Sequence, residues 1–170
     1  MRPSAQALGE LFENAPRFVN RLVDFAAASW DELFDEAQRL ALEMPEDEQI
    51  ELLDAHPRIG AAATSVSALS YAEQGYDNDV GTAELQARLD RLNEAYEDRY
   101  GFRFVVFVNG RSRAQIADVM EAILETPELS PRDSEKERGL EDVIAIASSR
   151  LPKVTNVRRV DEGRDLLRQG

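Results

Sequence analysis

His56 is the only histidine in this 170-residue chain, and it lies in the segment Ala-His-Pro-Arg-Ile-Gly at residues 55–60. One imidazole cannot form a multi-histidine metal site, but it can transfer protons near neutral pH. The preceding apolar residues place His56 at the end of a predicted helix, where the helix dipole favours imidazolium. Pro57 restricts the backbone beyond it. The sequence thus indicates a rigidly held acid/base, with a purely structural histidine as the alternative.

Ser70, Glu73 and Gln74 form a second group of polar residues. The pattern Ser-x-x-Glu is that of a capping box, which would make Ser70 the start of a short helix. Positions 70, 73 and 74 also share one face of a helix, so a hydroxyl, a carboxylate and an amide would point the same way. Spacing alone leaves both interpretations open.

Arg150 lies near the end of the last predicted helix, after Ile146 and Ala147. The simpler interpretation is a favourable interaction with the negative end of the helix dipole. The alternative is an anion-binding side chain, for which the guanidinium fork is well suited. Four other arginines are expected to be solvated: Arg58, Arg103, Arg111 and Arg113.

The net charge is −13 and the chain has no cysteine. Disulfides, thiolate metal sites and a cysteine nucleophile are therefore excluded. So acidic a surface repels nucleic acid and anionic membranes. We see neither a secretory h-region nor a run of about 20 apolar residues that could span a membrane. We expect a cytoplasmic protein that binds neither nucleic acid nor membrane.

Apolar residues recur at helical spacing along most of the chain, which predicts an all-α fold. Pro152 is expected to end the last helix. Residues 1–152 would then form one domain and residues 153–170 a charged tail. Helix starts are predicted at Pro16, at Ser29 with Glu32, at Thr82, at Ser112 with Gln115, and at Ser130.

Two segments break the helical pattern. Residues 57–81 are rich in Gly, Ala, Ser and Asn, and a connection of this length is usually functional or disordered. Residues 101–110 prefer extended structure, yet no second strand is available to pair with them. Their backbone N–H and C=O groups must therefore pair with a partner chain, with side chains or with a ligand.

Together these motifs resemble the 2-oxo-4-hydroxy-4-carboxy-5-ureidoimidazoline (OHCU) decarboxylases of purine breakdown. Order and spacing agree over roughly residues 8–152. The matching segments are residues 12–15, 55–60, 70–74, 92–96, 99–105 and 146–151.

The resemblance implies a single-domain helical bundle of about eight helices with one extended active-site segment, a homodimer and no cofactor or metal. It implies a lyase that decarboxylates OHCU to (S)-allantoin and CO₂ in uric acid degradation. His56 would be the essential acid/base and Glu73 its catalytic companion. The substrate is expected to contact Pro57, Ser70, Tyr71, Ala72, Gln74, Phe104, Val105, Val106, Phe107, Val108 and Arg150.

Two positions depart from the family pattern. The family usually has proline where this chain has Arg103, and phenylalanine where it has Tyr100. Without the proline, the loop that presents backbone donors is expected to be looser. Two alternative functions stay open: an acidic helical binding module that keeps the fold without the chemistry, and a decarboxylase of a related hydantoin-like acid.

Overall fold

The computed structural model describes residues 1–61, 67–74 and 82–167, and for Ala68, Glu73 and residues 155–167 it describes the backbone alone. These residues form eight α-helices and no β-strand, which confirms the predicted fold class. The helices are α1 (Ala5–Leu11), α2 (Pro16–Leu22), α3 (Trp30–Glu43), α4 (Glu46–Asp54), α5 (Ala68–Glu73), α6 (Ala83–Tyr100), α7 (Arg113–Glu125) and α8 (Arg132–Leu167).

Several helices begin where the sequence predicts. Pro16 is the first residue of α2, and the side chains of Ser29 and Thr82 cap α3 and α6. Ser112 and Gln115 form a complete capping box at the start of α7. At the serine and threonine caps a side-chain oxygen accepts a hydrogen bond from an N–H group that the first helical turn leaves unpaired, whereas Pro16 has no N–H group to satisfy.

Helix α8 is the central element of the bundle, since it packs against α1, α3 and α4. Its apolar seam includes Leu140, Val143 and Ala147, all of which are buried. Burial of this seam anchors α8 to three helices that precede His56 in the chain.

Pro152 does not end α8, so this prediction is wrong: the helix continues to Leu167. A proline inside a helix removes one backbone hydrogen bond and crowds the preceding turn, but the helical dihedral angles themselves remain accessible to it. The division into residues 1–152 and a tail stays a prediction.

The extended segment after α6 is held by aromatic packing. Gly101 ends α6 in the left-handed region, with φ +79°, which turns the chain out of the helix. The rings of Phe102 and Phe104 then pack edge-on against Tyr96, with centroid distances of 6.0 and 5.0 Å. Burial of these rings fixes the start of the segment against α6.

Side chains satisfy much of the backbone of this segment. Arg138 donates to the Val105 carbonyl at 2.9 Å, and Arg111 donates to the Phe107 carbonyl at 2.6 Å. Asp142 accepts a hydrogen bond from the Phe107 N–H. The sequence left a partner chain, side chains or a ligand as possible partners for this backbone. For the backbone groups of Val105 and Phe107, the partners are side chains.

The prediction that four arginines are merely solvated is wrong. Arg111 binds the extended segment, Arg113 is buried, and Arg58 donates to Glu97 at 2.8 Å. Arg103 donates to two backbone carbonyls beside α4. A guanidinium has five donors and can satisfy several carbonyls at once, which sequence spacing does not reveal.

Candidate active site

A small cavity of about 40 Å³ lies between α4, α5, the extended segment and α8. Its lining residues are His56, Pro57, Ile59, Ser70, Gln74, Phe104, Val105, Val106, Phe107, Val108, Asn109, Ile146 and Arg150.

His56 follows the C-terminal end of α4 and is 3% exposed. Its Nδ1 lies 3.0 Å from the carbonyl oxygen of Leu52. Because a carbonyl can only accept, Nδ1 carries the proton and Nε2 carries the lone pair. Nε2 has no hydrogen-bond partner among the described residues. The ring is therefore held in one tautomer, with its basic nitrogen unoccupied.

The imidazole is neutral at physiological pH. Burial lowers the pKa of His56 to about 4, and the positive charge of Arg150 acts in the same direction. The hydrogen bond to Leu52 and the negative charge of Glu13 oppose this shift but do not overcome it. The expectation that the helix dipole would favour imidazolium is therefore wrong, because loss of hydration outweighs it.

Arg150 is 1% exposed and crosses from α8 to the end of α1. Its Nη1 donates to the carbonyls of Glu10 and Leu11 at 3.3 and 3.1 Å. Its Nη2 lies 2.7 Å from the Glu13 carboxylate and 2.8 Å from the Ser70 hydroxyl. The guanidinium thus binds the carbonyl end of another helix rather than that of its own.

Glu13 is a partly buried partner of Arg150 that the sequence did not single out, although it lies in the matching segment 12–15. Its Oε1 accepts hydrogen bonds from the hydroxyls of Ser70 and Ser67. Burial raises the pKa of Glu13, but the Ser70 hydrogen bond and the Arg150 charge together bring it below its ordinary value. We call Arg150, Glu13 and Ser70 the Arg150 cluster.

An unusual turn presents Glu13 to this cluster. Glu13 and Asn14 both have positive φ, +54° and +58°. Asn tolerates this region, but a glutamate there is uncommon and carries backbone strain. The neighbouring Gly9 accommodates the turn, because a Cβ at that position would lie 2.4 Å from Asn14 Oδ1. One strained residue is thus retained where it places a carboxylate beside Arg150.

Ser70 and Gln74 both face the cavity from α5, as one-face spacing predicts. Ser67, not Ser70, is the N-cap of this helix, so the capping interpretation of Ser70 is wrong. Gln74 Oε1 accepts from the Gly60 N–H at 3.0 Å. Gln74 therefore fixes the loop that follows His56.

Three predicted site residues do not line the cavity or cannot be assigned to it. Ala72 is exposed and Tyr71 is half-buried, and neither is among the lining residues. Glu73 is the last residue of α5, and its side chain lies outside the described part of the chain. Ile59, Asn109 and Ile146 line the cavity without having been predicted.

Among the residues that the structure describes, no group of three or more His, Asp or Glu side chains is placed to hold a metal ion. Over the same residues, no helix is both long and apolar enough to cross a membrane.

A model of the OHCU decarboxylase family matches residues 2–152. The chain belongs to this family. The 2-oxo-4-hydroxy-4-carboxy-5-ureidoimidazoline decarboxylase of Haloferax volcanii is 30% identical over 146 residues, covering 85% of this chain and 84% of the relative. The resemblance read from the motifs is therefore confirmed.

Two further proteins are similar to this chain. The uric acid degradation bifunctional protein of Bacillus subtilis is 29% identical over 150 residues, which are 86% of this chain and 29% of that protein. A crystal structure of OHCU decarboxylase in the presence of (S)-allantoin superposes with a TM-score of 0.66 at 19% identity, covering 87% of this chain and 96% of that one. This likeness supports the fold.

Proposed function

We propose that this protein decarboxylates OHCU to (S)-allantoin and CO₂ in uric acid degradation, as a carboxy-lyase without a cofactor. One observation carries the proposal: a buried, neutral imidazole, whose Nε2 has no partner among the residues that the structure describes, lines a cavity that also contains a buried guanidinium. Membership of the OHCU decarboxylase family supplies the substrate class.

The substrate provides its own electron sink. Its C4 carries a hydroxyl and a carboxylate, and the adjacent C5 is doubly bonded to a ring nitrogen. When the bond from C4 to the carboxylate breaks, its electron pair forms a C4–C5 double bond and the imine pair moves to nitrogen. The hydroxyl then loses its proton to give the C4 carbonyl, and C5 gains a proton. The ring nitrogen that received the imine pair also takes up a proton, so one proton is consumed for each CO₂ released and no oxidant or reductant is needed.

His56 is the base for the hydroxyl proton in this scheme. Its Nε2 carries a lone pair, since Nδ1 donates to Leu52. An isolated imidazole with a pKa of about 4 is a weak base. A substrate carboxylate adds negative charge beside the ring, which favours imidazolium and raises the pKa of His56. Binding of the anion therefore strengthens the base that acts on it.

In this proposal, the extended segment recognises the urea-like edges of the substrate. The groups of Val105 and Phe107 that bind Arg138, Arg111 and Asp142 are occupied. Successive residues of an extended chain direct their N–H and C=O groups to opposite sides. The intervening residues, Phe104 and Val106, therefore offer an alternating donor and acceptor edge to the substrate.

Arg150 attracts an anionic or carbonyl oxygen of the substrate through its positive charge, because its Nη1 and Nη2 groups already bind Glu10, Leu11, Glu13 and Ser70. The rest of the binding surface is formed by Pro57, Ser70, Gln74 and the segment 104–108. The Arg150 charge is already balanced by Glu13 at 2.7 Å. The substrate thus meets a guanidinium whose orientation is fixed before binding, which lowers the entropy lost in positioning it.

A circular dichroism assay tests the function. Freshly prepared OHCU is mixed with the protein, and the appearance of one enantiomer of allantoin is compared with spontaneous racemic decay. We expect a one-handed signal well above the uncatalysed rate. Equal rates with and without protein would favour a binding module that has kept the fold alone.

Glu73 is proposed as the catalytic companion of His56. Glu73→Gln keeps the shape and removes the charge, so a loss of turnover is expected if the carboxylate assists proton transfer. The matched variant Glu84→Gln removes a carboxylate from the first turn of α6 and is expected to keep wild-type turnover. Unchanged activity in Glu73→Gln would contradict the catalytic role.

We propose that the protein forms a homodimer and that it is located in the cytoplasm. Sedimentation equilibrium checks the first, because a chain of 19.1 kDa and its dimer are readily distinguished. Fractionation of cells that produce the protein checks the second. A monomer at micromolar concentration would contradict the proposed assembly.

A further inference from the structure

Arg103 joins the extended segment to the end of α4 through three hydrogen bonds. Its backbone N–H donates to Asp54 Oδ1 at 2.9 Å. Its guanidinium Nη1 donates to the carbonyl of Asp54 at 2.7 Å and to the carbonyl of His56 at 3.0 Å. One residue thus binds the last residue of α4 and the backbone of the imidazole-bearing residue.

These contacts occupy carbonyls that the helix cannot satisfy internally. The last carbonyls of a helix have no N–H partner within it, and a cation there also meets the negative end of the dipole. His56 is fixed at two points in consequence: its ring is bonded to Leu52 within α4, and its carbonyl is bonded to Arg103 from outside.

We propose that Arg103 is a positioning residue for the reaction, which holds the imidazole of His56 at a fixed distance from the backbone edge of Phe104 and Val106. This inference rests on the proposed function. Arg103 does not line the cavity, so it acts through His56 and the segment rather than on the substrate. The lack of a proline was expected to loosen this loop. Instead, the hydrogen bonds of Arg103 attach the loop directly to the end of α4.

The chemistry of the attachment requires arginine. A proline at this position has neither the N–H that binds Asp54 nor a side-chain donor. A lysine ammonium can reach one carbonyl, but it lacks the planar fork and is more strongly hydrated. Arg103→Lys should therefore restore part of what Arg103→Ala loses.

Arg132 provides a matched control on the same segment. Its Nε donates to the carbonyl of Tyr100 at 2.8 Å, at the end of α6, and its guanidinium stacks over Phe102. Removal of either arginine frees a helix-terminal carbonyl, but only Arg103 contacts His56. We expect both Arg103→Ala and Arg132→Ala to lower stability, but only Arg103→Ala to affect the imidazole.

The first measurement uses the single histidine as a probe. With ¹⁵N-labelled histidine, one imidazole is observed, and its tautomer and titration are followed by NMR without substrate. The charged groups that face His56 are Arg150 on α8 and Glu13 on the turn after α1, and both are retained in every variant. We expect wild type and Arg132→Ala to keep the Nδ1–H tautomer, and Arg103→Ala to show mixed tautomers with titration moved towards that of free histidine.

The second measurement is turnover of OHCU. We expect Arg103→Ala to lower kcat by about 10- to 100-fold, because a displacement of about 1 Å at a reacting group has effects of this size. KM should change little, since substrate contacts remain. Arg103→Lys should fall between Arg103→Ala and wild type, and Arg132→Ala should keep wild-type kcat.

Wild-type tautomer, titration and kcat in a folded Arg103→Ala protein would overturn the proposal. If that variant does not fold, Arg103→Lys and Asp54→Ala decide the question, because each removes part of the attachment and must perturb the imidazole. If wild type itself does not decarboxylate OHCU, the proposed function fails, whereas the NMR comparison still tests whether Arg103 positions His56.

Discussion

The two sides of the cavity hold their polar groups in opposite ways. On one side, His56 is neutral and its Nε2 has no partner among the described residues. On the other side, the Arg150 cluster is charged, and its guanidinium binds Glu13, Ser70 and two backbone carbonyls. Both His56 and Arg150 are almost completely buried.

The difference follows from the cost of burial. An unpaired charge cannot be buried at acceptable cost, so the guanidinium must be paired before any substrate arrives. A neutral acceptor left without a partner costs only about 1–3 kcal/mol. The fold can therefore leave Nε2 of His56 without a partner among the described residues, while the guanidinium of Arg150 is fully paired.

Replacement of His56 should give the largest effect on the neutral side. His56→Gln keeps a polar side chain of similar size but provides no base, so we expect kcat to fall by about 10²–10⁴-fold. The fold should survive, which far-UV circular dichroism and thermal unfolding will show. Turnover equal to that of wild type would contradict the role of Nε2.

Replacement of Glu13 should have the largest effect on the charged side. Glu13→Gln leaves Arg150 buried without its counter-charge, and we expect a loss of about 2–4 kcal/mol in unfolding free energy and a lower kcat. The matched variant is Glu43→Gln, an exposed carboxylate that pairs with Arg39, and it should cost less than about 1 kcal/mol. Urea unfolding of both proteins measures the difference.

The pH dependence of stability separates the two sides. Burial lowers the pKa of His56 to about 4, so between about pH 6.5 and 4 the unfolded chain binds a proton that the folded chain does not. Stability must then fall as pH falls through this range. From pH 7 to pH 5, the free energy of unfolding of wild type should fall by about 2 kcal/mol more than that of His56→Gln.

The Glu13 carboxyl does not interfere with this measurement. Its pKa lies below its ordinary value, so the stability it contributes is lost only as pH falls further, through its folded-state pKa. Equal slopes for wild type and His56→Gln between pH 7 and pH 5 would show that the imidazole is not buried in the neutral form.

Removal of the Ser70 hydroxyl should give the smallest effect. The direct contact between Arg150 and Glu13 remains in Ser70→Ala, so we expect a loss of about 1–2 kcal/mol and a small change in turnover. Ser149→Ala removes an exposed hydroxyl that binds a carbonyl within α8, and it should be nearly neutral. A loss in Ser70→Ala as large as in Glu13→Gln would show that the hydroxyl, not the charge, organises the cluster.

Local sequence signals predicted most of the fold. Ser29, Thr82 and Ser112 cap helices because a side-chain oxygen near an unpaired N–H is a short-range effect, readable from a few residues. The same holds for the apolar seam of α8. His56, Ser70 and Gln74 were likewise found through spacing and motif, and all three line the cavity.

Contacts that join distant parts of the chain were not predictable in this way. Glu13 reaches Arg150 only through a turn with two positive φ angles, and neither glutamate nor its spacing signals that conformation. Arg103 binds the backbone carbonyls of Asp54 and His56, and because every residue possesses a carbonyl, no partner can be recognised from sequence. The prediction gave Pro152 too much weight as a helix breaker, since α8 continues through it to Leu167.

Helix α8 supplies residues to both functional parts of the molecule. Arg138, near its start, binds the back of the extended segment, while Ile146 and Arg150 reach the cavity from further along. One inserted residue between Arg138 and Ile146 would rotate the later pair by about 100°. Arg150 would then leave Glu13 although every local helix preference remained intact. Length changes among homologues are accordingly expected in the connections between helices and not in this stretch of α8.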